Sequence, residues 1–394
     1  MSDSDRSYYC SMKFKFLKID LESKTTYTCH AAKPHAVDFY WLDNNPGQIF
    51  NTSINVQERQ MMLANQRNDS CEQNCWRAED VGAISPRLQQ QGTEQTHTNI
   101  ITNPEIIDLT IGADCNLTCS YCSKEHSTAW RRDIVNNGDY KIAGDRYCVT
   151  NKDRVLLKIS QPELKQSTHY RALLNEIKLV APTLKKLIVT GGEPFLDNKL
   201  VEILEDVPYG DDTEIEIYSG LGVTFNRFSN ILEKIASIKN LTIIVSAECI
   251  EQLFEFNRYG NSWAEFLKKI SLIKQVGINF KFQSTLCNLT IFGFSEFYQR
   301  FKQEKIVLTF AYQPTMMASH VLDDISKQLI IDSIRDLPQE MQIKILKSIH
   351  ATPTEQEKCD LKIFLKEFVK RRPNLSLTVF PNSFIKWLEL EHVV

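Results

Sequence analysis

Between residues 104 and 315 the chain alternates strand-like and helix-like runs about six times. The strand-like runs are "EIIDLTIG", "KKLIVTGGEPF", "TEIEIYSGLG", "NLTIIVSAE", "INFKFQSTLCN" and "KIVLTFAYQP". Between them lie "YRALLNEIKLVAPTL", "LVEILEDV", "FNRFSNILEKIASI", "SWAEFLKKISLIKQVG" and "GFSEFYQRFKQE", whose apolar residues recur at helical spacing. Such alternation predicts a parallel sheet covered by helices. Six units fall short of the eight of a closed barrel, so the α/β fold expected is a partial (β/α)6 barrel. The apolar and charged fractions, 42% and 24%, are ordinary for a soluble globular protein. A net charge of −3 gives no general pull toward nucleic acid, and no basic stripe with interleaved aromatics marks a footprint for it. No apolar run approaches the length of a membrane span, and "MSDSDRSYYC" lacks a signal-peptide core. The expectation is a cytoplasmic protein without membrane contact, in which thiols stay reduced.

The flanks read differently. "KFKFLKIDL", "ESKT" and "TYTCHA" form a β-hairpin pattern, "SINVQERQMMLANQR" a short helix, and "DSCEQNCWRAED" a cysteine pair. Residues 92–103 are polar and read as a linker, and residues 136–161 fit neither period and read as an insertion. Beyond Pro314 the pattern is mostly helical. The expected units are an N-terminal module over 1–100, the barrel over 104–315 and a helical C-terminal extension over 316–394.

Eleven cysteines in a reducing compartment call for metal or catalysis more than for disulfides. Three of them, Cys115, Cys119 and Cys122 in "ADCNLTCSYC", sit just past the first barrel strand. In parallel α/β architectures the C-terminal ends of strands carry the site. A closed structural zinc takes four ligands. Three thiolates suit a centre with one position left open, such as a [4Fe–4S] cluster held at three irons. A structural metal site is the competing reading of the cysteines alone. The second barrel strand ends in "TGGEP": Gly191 and Gly192 lack Cβ atoms and allow close backbone approach to a ligand, Glu193 offers a carboxylate to an ammonium, and Pro194 closes the turn.

The C-x3-C-x2-C loop and the GGEP turn on consecutive strands resemble the radical SAM superfamily. The resemblance implies that the methionyl amine and carboxylate of S-adenosylmethionine (SAM) chelate the open iron. It also implies reductive cleavage to a 5′-deoxyadenosyl radical that abstracts a substrate hydrogen. Tyr121 matches the family's aromatic position near adenine, and Glu193 its contact with the SAM amino group. Ser246 and Glu248, on one face of the fourth strand by alternation, resemble its ribose-contacting residues. Ser219, Asn288 and Gln313 stand at other strand ends as lining candidates. A flavodoxin- or ferredoxin-type electron donor is implied.

Of the remaining eight cysteines, Cys10, Cys29, Cys71 and Cys75 are organised: one before the hairpin, one after it, and a close pair beyond the helix. This resembles the twitch or SPASM module that binds an auxiliary [4Fe–4S] cluster in many radical SAM enzymes. Here the module is N-terminal, its usual hairpin glycine is Lys24, and the pair is C-x3-C instead of C-x2-C. Cys148 is a reserve ligand, and a four-cysteine zinc site is the alternative. Cys249 and Cys287 lie at strand ends; the first is a candidate catalytic thiol, with a small buried hydrophobe as the plainer reading. Trp130 is expected to pack, while Arg131, Arg132 and the "KRRPN" run read as solvated. The function expected is radical SAM chemistry on a peptide or protein. The alternatives are a nucleotide or carbohydrate-like small-molecule substrate, and a non-catalytic cluster-binding protein.

Overall fold

The structure is a computed structural model that describes residues 7–80, 85–89, 98, 101, 103–157 and 167–393. Its strands in chain order are β1 (Phe16–Asp20), β2 (Thr25–Tyr27), β3 (His35–Ala36), β4 (Ile106–Thr110), β5 (Thr118–Cys119), β6 (Lys186–Thr190), β7 (Glu214–Ser219), β8 (Leu241–Ser246), β9 (Arg258–Tyr259), β10 (Asn279–Leu286) and β11 (Ile306–Phe310). Nine of them form one sheet in the order β11-β10-β8-β7-β6-β4-β1-β2-β3. The six strands read from the alternation, β4, β6, β7, β8, β10 and β11, are all present and pair in parallel. The fold is thus mixed α/β with a central parallel sheet and many helices.

The hairpin does not stand apart from that sheet. β1 pairs in parallel with β4, setting Lys18 beside Asp108, and antiparallel with β2, setting Lys18 beside Tyr27. The sheet therefore crosses the expected boundary between residues 100 and 104. Lys24, at the turn, adopts a left-handed conformation with φ 58°. That region is favoured by glycine, and a lysine there carries a backbone cost of roughly 1–2 kcal/mol.

Alternation along the strands splits the sheet into two faces. Leu17, Ile19, Ile107, Leu109, Leu187, Val189, Ile215, Ile217, Ile243 and Val245 are buried in the main core. The helices contribute matching stripes. In the helix Phe225–Ile235, Phe228, Ile231, Leu232 and Ile235 recur at helical spacing and are buried. Thr224 caps its N-terminus by accepting from Arg227 N. On the other face sit charges: Lys18 pairs with Asp108 at 3.5 Å, and Glu216 with Lys186 at 2.9 Å and Lys281 at 2.8 Å.

The C-terminal extension is helical, with helices Asp324–Ser333, Gln339–Ile349, Glu355–Lys370 and Asn382–Trp387. Among the described residues no helix is long and apolar enough to cross a membrane. Of the stretch expected as an insertion, residues 138–150 link the helices Thr128–Asn137 and Asn151–Leu156, and residues 158–161 lie outside the described residues. The expected linker over 92–103 lies almost wholly outside them.

Candidate active site

The cluster loop leaves β4 and is clamped along its length. Its first residues prolong the β4–β6 ladder: Ile111 N donates to Thr190 O at 3.0 Å, Gly192 N to Gly112 O at 2.9 Å, and Glu193 N to Asp114 O at 2.7 Å. A Cβ on Gly191 would lie 2.7 Å from Gly112 O, and one on Gly192 2.5 Å from Asp114 O. The two glycines thus let the GGE turn press against the cluster loop's own backbone, where the sequence suggested approach to a ligand. Leu117, between Cys115 and Cys119, fits the same way over Gly222, where a Cβ would lie 2.6 Å from its Cδ1.

The second half of the loop is held from the far side of the barrel. β5 pairs antiparallel with β9, placing Cys119 opposite Arg258. Ser120 N donates to Asn257 O at 2.8 Å, and Ser120 Oγ to Asn257 Oδ1 at 2.6 Å. Trp130 Nε1 donates to Cys119 O at 3.0 Å, and Tyr147 OH to Cys122 O at 2.8 Å. With its carbonyls already bonded, the loop has little freedom to reorient its thiols.

Cys115 and Cys119 are buried and Cys122 is half-buried. The three thiols feel one another. Burial pushes Cys115 well above the ordinary thiol value, and Cys119, Glu193 and Cys122 push it further. Burial lifts Cys119 to about 12 against the pull of the Arg258 guanidinium, and it raises Cys122 as well. Thiols so placed ionise only when cations arrive to balance them, which suits metal ligation.

Around this loop lies a buried charged network. Glu248 is 1% exposed; its Oε1 accepts from Tyr121 OH at 2.9 Å and from Arg258 Nη2 at 2.5 Å, and its Oε2 from Arg258 Nε at 3.1 Å. Burial works against the Arg258 charge, but Glu248 and Tyr121 outweigh it and hold the guanidinium well above its usual value. Glu193 is likewise buried. Its carboxylate accepts from Ser219 Oγ at 2.6 Å, from Gly220 N and Gly222 N at 3.1 Å, and from Phe195 N at 3.2 Å. Burial still raises its pKa. Both carboxylates expected at SAM are engaged in fixing loops around the cysteines. Ser246 stays partly open at the end of β8.

Other expectations resolve individually. Cys249 is a core side chain whose Sγ donates to Thr290 O at 3.2 Å, and Cys287 is fully buried. Ser219 serves Glu193, Asn288 is buried with Nδ2 donating to Met316 O at 2.8 Å, and Gln313 is exposed. Trp130 packs in the core as expected. Arg132 is exposed, but Arg131 is buried and pairs with Glu22 at 2.6 Å, which corrects its reading as solvated. The "KRRPN" run is corrected too. Arg372 is buried, its Nε donates to Thr118 Oγ1 at 3.0 Å, and its guanidinium lies 3.9 Å from the Phe368 ring centroid. Arg371 pairs with Asp133 at 3.1 Å. Arg258 and Asn257 escaped the sequence reading because the cluster-loop residues they bond, Tyr121 and Ser120, lie 137 residues away along the chain.

The four N-terminal cysteines are buried and line one small cavity together with Met12, Lys13, Ala31, Ala32, Pro86 and Arg87. Cys148 is not among its lining residues. Cys71 ends a 3₁₀ turn and Cys75 lies in the π-helical turn Glu72–Trp76, so the extra residue of the C-x3-C pair falls in a widened turn of the kind found at functional sites. Burial pushes Cys10 up to about 12 and raises Cys29, Cys71 and Cys75. Four soft, buried donors around a shared space fit a thiolate-bound centre. Among the described residues, no three His, Cys, Asp or Glu side chains converge as ligands of a single metal ion do.

Residues 109–300 match the family model described as the Radical SAM superfamily. That family uses a [4Fe–4S] cluster and SAM. No curated protein matches the chain. Among solved structures, native anSMEcpe with bound AdoMet and Cp18Cys peptide is similar at 13% identity over 53% of this chain and 51% of that one, with a TM-score of 0.33. Streptococcus suis SuiB bound to precursor peptide SuiA is similar at 12% identity over 83% and 70%, with a TM-score of 0.33. The chain spans about half the length of the first of these.

Proposed function

We propose that this protein is a radical SAM enzyme with two iron–sulfur sites that abstracts hydrogen from a peptide or protein substrate. The observation that carries the reading is the set Cys115, Cys119 and Cys122 at the end of β4, inside a stretch that matches the radical SAM family. When bound, the cluster and SAM supply a 5′-deoxyadenosyl radical.

The chain's own residues have defined tasks in this reading. The three thiols would hold the cluster. Arg258 lies beside Cys119 and eases its ionisation. Glu248 and Arg258 fix the Tyr121 ring beside the last ligand, where it offers a face to adenine. The GGE turn braces the backbone of the cluster loop, and Ser246 offers a hydroxyl to the polar parts of SAM. The charged face of the sheet, with Lys18, Asp108, Lys186, Glu216 and Lys281, offers polar anchors to a substrate. The N-terminal quartet would hold the auxiliary cluster. Its likeness to twitch and SPASM modules, whose carriers often modify peptides, puts a peptide substrate first.

The test is anaerobic reconstitution with iron and sulfide, reduction, and assay of SAM conversion to 5′-deoxyadenosine and methionine. Replacing Cys115, Cys119 and Cys122 with alanine should abolish it. Equal cleavage by parent and triple variant would reject the assignment.

A further inference from the structure

The wall of the four-thiol cavity is charged. Lys13 lines it and is fully buried. Its ammonium donates to Glu58 Oε2 at 2.5 Å, to Ser70 Oγ at 2.7 Å and to Thr28 Oγ1. Thr28 and Ser70 immediately precede Cys29 and Cys71, and Ser70 Oγ lies 3.9 Å from Cys71 Sγ. Lys13 is thereby tied to the backbone that presents two of the four thiols. Glu58 stands behind it, outside the cavity lining, and is bound in turn by His35 Nε2 at 3.0 Å. Lys13 borders the space between the four thiols and Glu58 does not, so the cation is the member of the pair on the cavity side. A second buried cation, Arg87, lines the cavity and is held by Glu79 at 2.6 Å. Burying an ion pair is costly and is weak evidence for a contribution to stability, so this placement calls for another reason.

We propose that Lys13 is an electrostatic positioning residue whose fixed charge raises the reduction potential of a cluster held by Cys10, Cys29, Cys71 and Cys75. The inference rests on the auxiliary-cluster reading given above. A [4Fe–4S]²⁺ core with four thiolates carries a total charge of 2−. One electron from a chemical reductant takes it to 3−, with no bond made or broken and no proton moved. A nearby ammonium attracts the 3− state more strongly than the 2− state, and low local dielectric enlarges the difference. Charge and hydrogen bonding around the sulfurs are among the levers that set cluster potentials.

The experiment uses the full chain lacking Cys115, Cys119 and Cys122, so that only the N-terminal site is loaded. Iron and sulfide are measured first, and the midpoint is then found by titration with dithionite and mediators, followed by electron paramagnetic resonance. Lys13→Gln should keep about four irons per chain and shift the one-electron equilibrium at least tenfold toward the oxidised form, about 59 mV downward. Lys13→Arg, which keeps the charge, should restore most of the midpoint. The double variant Lys13→Gln/Glu58→Gln leaves no unpaired buried charge and should also shift downward if the single variant loses its cluster. A loaded Lys13→Gln or double variant with the parent midpoint overturns the role of Lys13. Zinc or no iron in the parent background overturns the cluster reading and this inference with it.

Discussion

Arg372 Nε donates to Thr118 Oγ1 at 3.0 Å, so a residue from the C-terminal extension holds the loop between Cys115 and Cys119. The same guanidinium lies over Phe368 and within 5.0 Å of the Trp130 ring centroid. Arg372→Ala should remove a charge-assisted hydrogen bond worth roughly 1.5–3 kcal/mol together with this packing. The expected result is a lower denaturant midpoint and weaker iron retention after desalting. Retention equal to that of the parent would show that the extension does not support the loop.

Glu193 and Ser246 should separate in their effects. Glu193→Ala strands Gly220 N, Gly222 N and the Ser219 hydroxyl in a buried setting, at about 1–3 kcal/mol for each unsatisfied group. Stability and solubility should fall before any SAM measurement is made. Ser246→Ala should fold like the parent and bind SAM severalfold more weakly, as loss of a hydrogen bond of about 0.5–1.5 kcal/mol requires. Calorimetry of the two variants, with circular dichroism for folding, checks the contrast.

Lys24→Gly relieves the left-handed backbone at the hairpin turn. The gain is offset by the greater freedom of glycine in the unfolded chain, and the loss of Lys24 Nζ to His169 Nδ1 at 3.1 Å removes an additional tie. The net effect should lie within about 1 kcal/mol of the parent, whereas Lys24→Val should be plainly destabilising because a β-branched residue resists that conformation. Thermal midpoints of the pair decide it.

Acid should loosen the N-terminal module through Glu58. Burial works to raise this carboxyl, but His35, Lys13 and Thr28 outweigh it and hold it at about 2 against an ordinary 4.5. A folded-state pKa below the unfolded one means stability fully present above 4.5 and lost as pH falls toward 2. Denaturant midpoints of the parent should therefore decline through that window. Glu58→Gln should start lower at neutral pH and lack this part of the decline.

Local spacing made the barrel strands and the three barrel cysteines readable from the sequence. The hairpin was readable as a hairpin, but not as part of the parallel sheet, because β1 finds Asp108 some ninety residues away and its alternation is the same whichever neighbour it takes. Arg131, Arg371 and Arg372 looked solvated for a related reason. A buried arginine is betrayed by its partners, and Glu22, Asp133 and Thr118 are adjacent only after folding. The GGE turn was legible, but the packing of its glycines against the cluster loop was not, since sequence shows that a Cβ is missing and not what occupies the space.

The parallel pairing of β1 with β4 also sets an order of events during synthesis. Residues 16–27 can close their hairpin as soon as they leave the ribosome, and Cys10, Cys29, Cys71 and Cys75 are all made before Ile106. The edge of β1 that will receive β4 must then wait, uncovered, while some eighty further residues are translated. At about 5–20 residues per second, the wait lasts several seconds. An open strand edge is a template for wrong pairing. Early metal loading of the quartet would steady the hairpin through that interval and give nascent β4 a rigid edge on which to start the barrel.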